Sequence, residues 1–266
     1  VNIIVCVKQI LDPNIPPAKF RLDSESKGVV PPEGIPPAIN PYDEQAVELA
    51  LRLKEKHGGK ITVASLGSKA TLSMLKHALA MGADEGVLLA DQAFDGSDSF
   101  STAYILANAI EKIGDYDLIL CGRQAADWDE GVVGSIIAEN LGLPLVILAE
   151  AIDVAEGQLR VKRVTLDGFQ VFAIPMPAVV TVSNEVGQPR LPSGWGIITA
   201  AKKQIPIWGA SEIHVDPSQV GVGAARRKLA KLFIPQRERK CEIIEAKEIT
   251  EAVVKLAARL REVGVI

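Results

Sequence analysis

The stretch Asp117-Leu118-Ile119-Leu120-Cys121-Gly122-Arg123-Gln124-Ala125-Ala126-Asp127-Trp128-Asp129-Glu130-Gly131-Val132-Val133-Gly134 decides the fold. Asp117 to Cys121 is a short apolar run and reads as a buried parallel strand. Gly122 to Asp129 reads as a loop, and Glu130 to Leu141 as the helix that follows. A strand, a loop at its carboxyl end and a returning helix make half of a βαβ unit.

The same unit recurs on the N-terminal side. Val1 to Val7 is an apolar, β-branched first strand. A Pro-rich stretch from Asp12 to Pro41 follows, in which Phe20 to Leu22 and Gly28 to Val30 are expected to form a short hairpin. A helix starts at Asn40-Pro41-Tyr42-Asp43, keeps Ala46, Val47, Leu49, Ala50 and Leu53 at helical spacing, and ends at Gly58-Gly59. Lys60 to Leu66 is the second strand and Ser68 to Met81 its helix, closed by Gly82. Gly86 to Ala90 is the third strand, and Asp98 caps a helix running to Ile113. The fourth strand is Asp117 to Cys121, and the fifth is Pro144 to Leu148. Such alternation predicts an α/β fold, a doubly wound and mostly parallel sheet with helices on both faces. Ligands in such sheets bind at the carboxyl ends of strands, where the strand order reverses.

Beyond residue 150 the period changes. Gly157 to Val164 and Phe169 to Ile174 read as an antiparallel hairpin around Leu166-Asp167-Gly168. Pro177 to Val182 is another buried strand. Asn184 to Gly196 is polar and Pro/Gly-rich, and Lys203 to Gln236 shows no core face. Glu248 to Val263 is an amphipathic helix with Ile249, Val253, Leu256, Ala257, Leu260 and Val263 on one side. The expected division is an α/β domain over 1–183, including a hairpin insertion over 157–175. A loop segment over 184–204 follows, then an extended C-terminal arm over 205–266 ending in a helix.

Composition narrows the function. A net charge of −4 gives no electrostatic footprint for nucleic acid. The basic run Arg226, Arg227, Lys228 and Lys231, with Arg237, Arg239 and Lys240 beyond it, is short enough to be a solvated face. Cys6, Cys121 and Cys241 are far apart, as are His57, His77 and His214, so neither a disulfide framework nor a metal site is expected. No apolar run has the roughly 18 residues of a membrane span. No signal peptide or transit segment is expected. The location expected is therefore the cytoplasm, bacterial or archaeal in preference to a mitochondrial matrix. G-x-G-x-x-G, P-loop, G-x-S-x-G and H-E-x-x-H motifs are all absent, and no catalytic residue is assigned.

Four segments converge on the expected ligand edge: Cys6-Val7-Lys8, Asn40-Pro41-Tyr42-Asp43, Ser65-Leu66-Gly67 and the loop from Gly122 to Gly134. In that loop, backbone N–H groups and the helix dipole favour an anion. Gly131 and Gly134 allow close approach of backbone to a ligand. Asp127, Asp129 and Glu130 are the puzzle, since carboxylates repel a diphosphate. Capping the helix, accepting bonds from ribose hydroxyls and facing water are the three readings.

The segments VCVKQILD (5–12), INPYDEQAVELALRLKE (39–55), ALAMGAD (78–84), LILCGRQAADWDEGVVG (118–134) and RVTLDGFQVFAIPMPAVVTV (163–182) together resemble electron-transfer flavoprotein beta subunits, in the family's order and over nearly the whole chain. Phe169 departs from the small or acidic residue common there. The resemblance implies the adenine-nucleotide-binding type of α/β fold and an electron carrier rather than a stand-alone enzyme. The alpha subunit of the heterodimer would hold a further FAD. It also implies an adenine nucleotide here, contacted by Cys6, Lys8, Asn40, Pro41, Tyr42, Asp43, Leu66, Gly122, Arg123, Gln124, Ala125, Asp127, Asp129, Glu130, Gly131, Val132 and Val133.

In conventional members of the family that nucleotide is a structural AMP. In electron-bifurcating members it is a second FAD, fed by NADH. Conventional members typically read Asp-Asp-Asp-x-Asn-Gln-Thr-Gly in this loop, and bifurcating ones often Asp-Gly-Asp-Thr-Ala-Gln-Val-Gly. Val133 before Gly134 resembles the second type and favours FAD over AMP, whereas Trp128, Glu130 and Val132 match neither. The stretch from Pro189 through Trp195 to Lys203 resembles the loop that docks on acyl-CoA dehydrogenases, with Leu191, Trp195 and Ile198 as partner-binding residues. The resemblance places the hairpin, the 200–236 arm and the last helix in the subunit interface. The rival of another class is an ATP-binding or nucleotide-sensing α/β protein, which would need the Gly-rich phosphate pattern that the loop lacks.

Overall fold

The computed structural model describes residues 1–23, 28–235 and 241–266. Arg237, Arg239 and Lys240 of the basic run, and Gln236 at the end of the arm, lie outside the described residues. Among those described, the main sheet has nine strands. They are β1 (Ile3–Cys6), β2 (Ile61–Leu66), β3 (Glu85–Leu89), β4 (Leu118–Gly122), β5 (Leu145–Ala155), β6 (Gln158–Thr165), β7 (Gly168–Pro175), β8 (Ala178–Val182) and β9 (Ile207–Trp208). Their order across the sheet is β7-β6-β5-β8-β4-β1-β2-β3-β9. From β5 to β9 each pair is parallel, and β5-β6-β7 pair antiparallel.

Helices α1 (Pro41–His57), α2 (Leu72–Met81), α3 (Ser99–Ile113), α4 (Val133–Leu141) and α5 (Gly194–Lys202) pack on this sheet. Alternation along β1 shows how. Ile3 and Val5 join the core with Ala46, Leu49 and Leu75 of α1 and α2, whereas Ile4 and Cys6 join the core with Ile105, Ile110 and Ile137 of α3 and α4. A strand buried on both faces must be apolar throughout, as Ile3 to Cys6 is. The doubly wound expectation holds.

Two small ladders lie apart from the sheet, Gln9–Ile10 with Ala38–Ile39 and Arg21–Asp23 with Gly28–Val30. The first returns the Pro-rich stretch to the end of β1, where Asn40 N–H donates to the Lys8 carbonyl at 2.9 Å.

Three elements differ from the sequence reading. The helix expected from Glu130 starts at Val133, because Asp129 and Gly131 hold φ of +53° and +65°, outside helical space. β5 does not stop at Leu148. That residue takes φ +62° in a bulge, its N–H donates to Thr181 Oγ1 at 3.1 Å, and the strand runs on to pair with β6. The Pro/Gly-rich stretch before Gly196 leads into α5, whose glycines are poor helix formers. Packing overrides propensity there. A β-carbon at Gly196 would lie 2.3 Å from the Ala80 carbonyl oxygen, so glycine lets α5 sit on α2, and Ser193 Oγ caps it by accepting Gly196 N–H at 3.0 Å.

The stretch without a visible core face also docks in part. β9 pairs with β3, and Ile213, Val215 and Val220 are buried beside α3. Their spacing follows turns rather than one element, so no periodicity announced them.

The chain divides into two compact units, residues 1–230 and 231–266. In the second, α6 (Ile249–Glu262) matches the amphipathic helix expected. Its Ile249, Val253 and Leu256 are exposed, and Arg259 pairs with Glu242 at 2.9 Å.

Candidate functional site

The strand order reverses between β1 and β4. Both end at one level, Cys6 standing opposite Cys121. Both thiols are buried, and the hydrogen bond to Cys6, then burial, holds the Cys121 thiol well above its ordinary range. Two buried thiols therefore lie side by side where β1 and β4 end.

Asp43, in the first turn of α1, fastens the two strand ends together. Its Oδ2 accepts Lys8 N–H at 2.7 Å and its Oδ1 accepts Gly122 N–H at 3.0 Å. The residue is 6% exposed, and burial pushes its carboxyl up to about 7 against the lowering effect of those bonds and of Asn40. Gly122 has no room for a side chain. A β-carbon there would sit 2.4 Å from Asp43 Oδ1 and 2.7 Å from Tyr42 Cβ.

Asn40, the residue before α1, holds the loop. Its Nδ2 donates to the Gln124 carbonyl at 2.8 Å and its Oδ1 accepts Ala126 N–H at 3.1 Å. The side chain is buried, so losing either bond strands a polar group. The Ala125 carbonyl then accepts Asp129 N–H at 2.8 Å, turning the chain back toward α4. Arg123 lies over the Tyr42 ring, 5.9 Å from its centre.

The puzzle of the three carboxylates resolves into side-chain pairs. Asp127 accepts from Lys8 Nζ at 2.7 Å and 2.8 Å. Asp129 accepts from Gln124 Nε2 at 2.8 Å. Glu130 accepts from the Ser99 hydroxyl and pairs with Arg227 at 2.7 Å. The capping reading is corrected: Val132 stands at the N-cap with no side-chain bond, and the N–H groups of Val133, Gly134 and Ser135 have no acceptor among the described residues. At α3, by contrast, Asp98 accepts Phe100 and Ser101 N–H at 3.0 Å. Gly134 packs closely in this first turn; a β-carbon there would lie 2.7 Å from Thr181 Cγ2.

The structure thus joins Lys8, Asn40, Asp43, Gly122, Gln124, Asp127 and Asp129 through direct bonds. Pro41 is the first residue of α1, Cys6 ends β1, and Gly131, Val132 and Val133 lead into α4. Leu66 ends β2, on the other side of β1 from Gly122, and no hydrogen bond ties it to the loop. Leu191, Trp195 and Ile198 lie elsewhere, on and before α5, where Trp195 is 77% exposed. Ser99 and Arg227 were not foreseen as neighbours of Glu130. The Arg226–Arg227 run was the available signal, but nothing in the sequence tied it to a loop nearly a hundred residues earlier.

An open, doubly wound α/β sheet with a crevice at its switch point defines a class of proteins that bind ligands at the carboxyl ends of their strands. The family model described as "Electron transfer flavoprotein domain" matches residues 28–213. The electron transfer flavoprotein subunit beta of Thermoanaerobacterium thermosaccharolyticum is 40% identical over 266 residues, all of both chains. The caffeyl-CoA reductase-Etf complex subunit CarD of Acetobacterium woodii is 35% identical, again over all of both chains. Protein FixA of Azorhizobium caulinodans is 33% identical over 96% of this chain and 92% of that one. This chain belongs to the electron transfer flavoprotein family, with the beta-subunit type of sequence.

Proposed function

We propose that the chain is the beta subunit of a heterodimeric electron carrier and holds an adenine nucleotide, FAD in preference to AMP, where β1 and β4 end. The observation that carries this reading is the open first turn of α4. The free N–H groups of Val133, Gly134 and Ser135 supply the donors a diphosphate needs. The loop's acidic groups already have partners, which weakens their repulsion of an anion. The donor set therefore fits a nucleotide.

Each residue has a binding or orienting task. Asn40, Asp43 and Lys8 keep the 122–132 loop in register with α4. Gly122 lets α1 and β4 close up, and Gly131 supplies the left-handed turn. Bound FAD would supply the redox chemistry, taking up and releasing electrons; AMP would supply none. FAD is favoured because Val133 precedes Gly134 and the Asn, Gln and Thr donors of the AMP-type loop are replaced.

The alpha subunit would carry the further FAD. The exposed side chains of Leu191, Trp195 and Ile198 suit docking of a flavin dehydrogenase, of the acyl-CoA class. A relative named as a subunit of a caffeyl-CoA reductase-Etf complex supports that class, and the Val133-Gly134 loop type favours an NADH-linked bifurcating role.

Calorimetric titration of the purified chain with FAD and with AMP tests the site. FAD binding more tightly is the expected result. AMP binding more tightly would replace the bifurcating reading with a structural one. Failure of both to bind would overturn the site.

A further inference from the structure

The loop from Gly122 to Gly134 contains one basic residue, Arg123, and three acidic ones, Asp127, Asp129 and Glu130, which leaves a net charge of −2. Two cations from outside the loop cancel it. Lys8 pairs with Asp127 at 2.7 Å, and Arg227 pairs with Glu130 at 2.7 Å. Lys8 follows β1 and is already counted in the proposed site. Arg227 is not; it comes from the C-terminal arm.

The fold fixes where Arg227 stands. Asp98 caps α3 with one carboxylate oxygen, and its other oxygen accepts Arg226 N–H at 2.7 Å and Arg227 N–H at 3.0 Å. The Arg226 guanidinium lies over the Phe100 ring, 4.6 Å from its centre. Just upstream, Gly221 N–H donates to Ser97 Oγ at 2.9 Å, and a β-carbon at Gly221 would lie 2.7 Å from the Ala93 carbonyl oxygen. The arm is thus seated on the start of α3 and the turn before it. Ser99, in the first turn of α3, donates its hydroxyl to Glu130, so Glu130 is held from α3 and from the arm at once.

The Arg227 side chain is 61% exposed and that of Glu130 is 26% exposed. An ion pair so open to water adds little to folding stability. Its charge matters more for what binds beside it. Glu130 lies just before Val133, where α4 begins and where the diphosphate is proposed to sit. Unpaired, its carboxylate would repel a phosphate held there.

We infer that Arg227 is a specificity-determining residue of the nucleotide site: by neutralising Glu130 it lets the loop accept a phosphate-bearing ligand. This rests on the nucleotide site proposed above. It brings the arm into a site whose other residues all precede Gly134.

Calorimetric titration of the full-length chain with FAD, AMP and adenosine, at low and at high salt, tests the inference. Arg227→Ala is expected to weaken FAD and AMP by about tenfold at low salt. Adenosine carries no phosphate and should stay within twofold. At high salt the loss should shrink, because ions screen an exposed carboxylate. Adding Glu130→Gln to Arg227→Ala should bring FAD back to within roughly threefold of wild type, since no uncompensated charge is then left. Arg227→Lys alone should keep most of the affinity for the same reason. FAD and AMP affinities of Arg227→Ala within twofold of wild type overturn the inference. So does an equal loss for adenosine, or a double variant no better than Arg227→Ala; either would make Arg227 a prop for the shape of the loop. The double variant decides where adenosine binds too weakly to titrate. A wild-type chain that binds neither FAD nor AMP removes the nucleotide site itself, and this inference with it.

Discussion

The Asp43 carboxylate accepts the Gly122 backbone N–H at 3.0 Å, so the first turn of α1 is fastened to the end of β4. The other oxygen holds Lys8 N–H at 2.7 Å at the end of β1. One buried side chain thereby sets the spacing of the two strands between which the crevice opens. This arrangement makes the site sensitive to proton uptake, to small side chains and to the loop clamp.

The first consequence concerns pH. The Asp43 carboxyl is raised to about 7 in the folded chain by burial, from an ordinary value of 3.8. Between those values the folded state binds more protons than the unfolded state at this group. Its contribution to stability is therefore greatest below 3.8 and declines as pH rises to about 7, then stays level. Asp43→Asn cannot titrate. The difference in urea midpoint between wild type and Asp43→Asn should change between pH 4 and 7 and be flat above pH 8. A difference that is constant across this range would show that Asp43 keeps an ordinary carboxyl.

The second concerns the loop clamp. Asn40→Ala removes both bonds to the 124–126 backbone and leaves buried polar groups unpaired. A loss of about 1–3 kcal/mol in unfolding free energy is expected. Nucleotide affinity, measured by calorimetry, should fall by at least tenfold because the loop no longer presents α4. Unchanged affinity would detach the loop from the ligand.

The third concerns glycine. Gly131 holds φ +65°, and a β-carbon there would lie 3.2 Å from the Arg123 carbonyl oxygen. Gly131→Leu adds bulk and strain of roughly 1–2 kcal/mol from the left-handed backbone. Nucleotide retention through gel filtration should drop. Gly122→Ala should do more, since its β-carbon meets both Asp43 and Tyr42, and the chain's thermal midpoint should fall as well. Full retention in Gly131→Leu would remove that residue from the site.

The fourth concerns the segment proposed to dock the dehydrogenase. Arg190 donates to Glu48 at 2.8 Å and also binds Glu55, both on α1, just before exposed Leu191. Glu48 is buried, and Arg52 binds it too. Arg190→Ala should cost about 2–3 kcal/mol, less than a full buried-charge penalty because Arg52 remains. It should also raise the KM for the dehydrogenase while electron transfer to a small dye is unchanged. An unaltered KM would free the docking surface from this tether.

Much of this was legible in the sequence. Continuous apolar runs such as Ile3 to Cys6 and Leu118 to Cys121 announced strands buried on two faces, and Asp98 announced its own cap. The loop from Gly122 to Gly134 was legible as a loop. What its carboxylates do was not, because Lys8, Ser99 and Arg227 come from three separate places outside the loop. The start of α4 was misplaced because Glu130 looks like a first-turn acid, while backbone angles at Asp129 and Gly131 forbid the helix there. Likewise, α5 was hidden by Gly194 and Gly196, and the value of Gly196 lies in a contact with Ala80 that no local pattern records.

The central claim is that the loop and the open start of α4 hold FAD in this subunit. The most direct measurement is a cofactor count on the co-expressed heterodimer, denatured and assayed for FAD and AMP. About two FAD and no AMP per dimer is the result expected. One FAD and one AMP would contradict it and make the chain a conventional carrier subunit, with the inference from Val133 wrong.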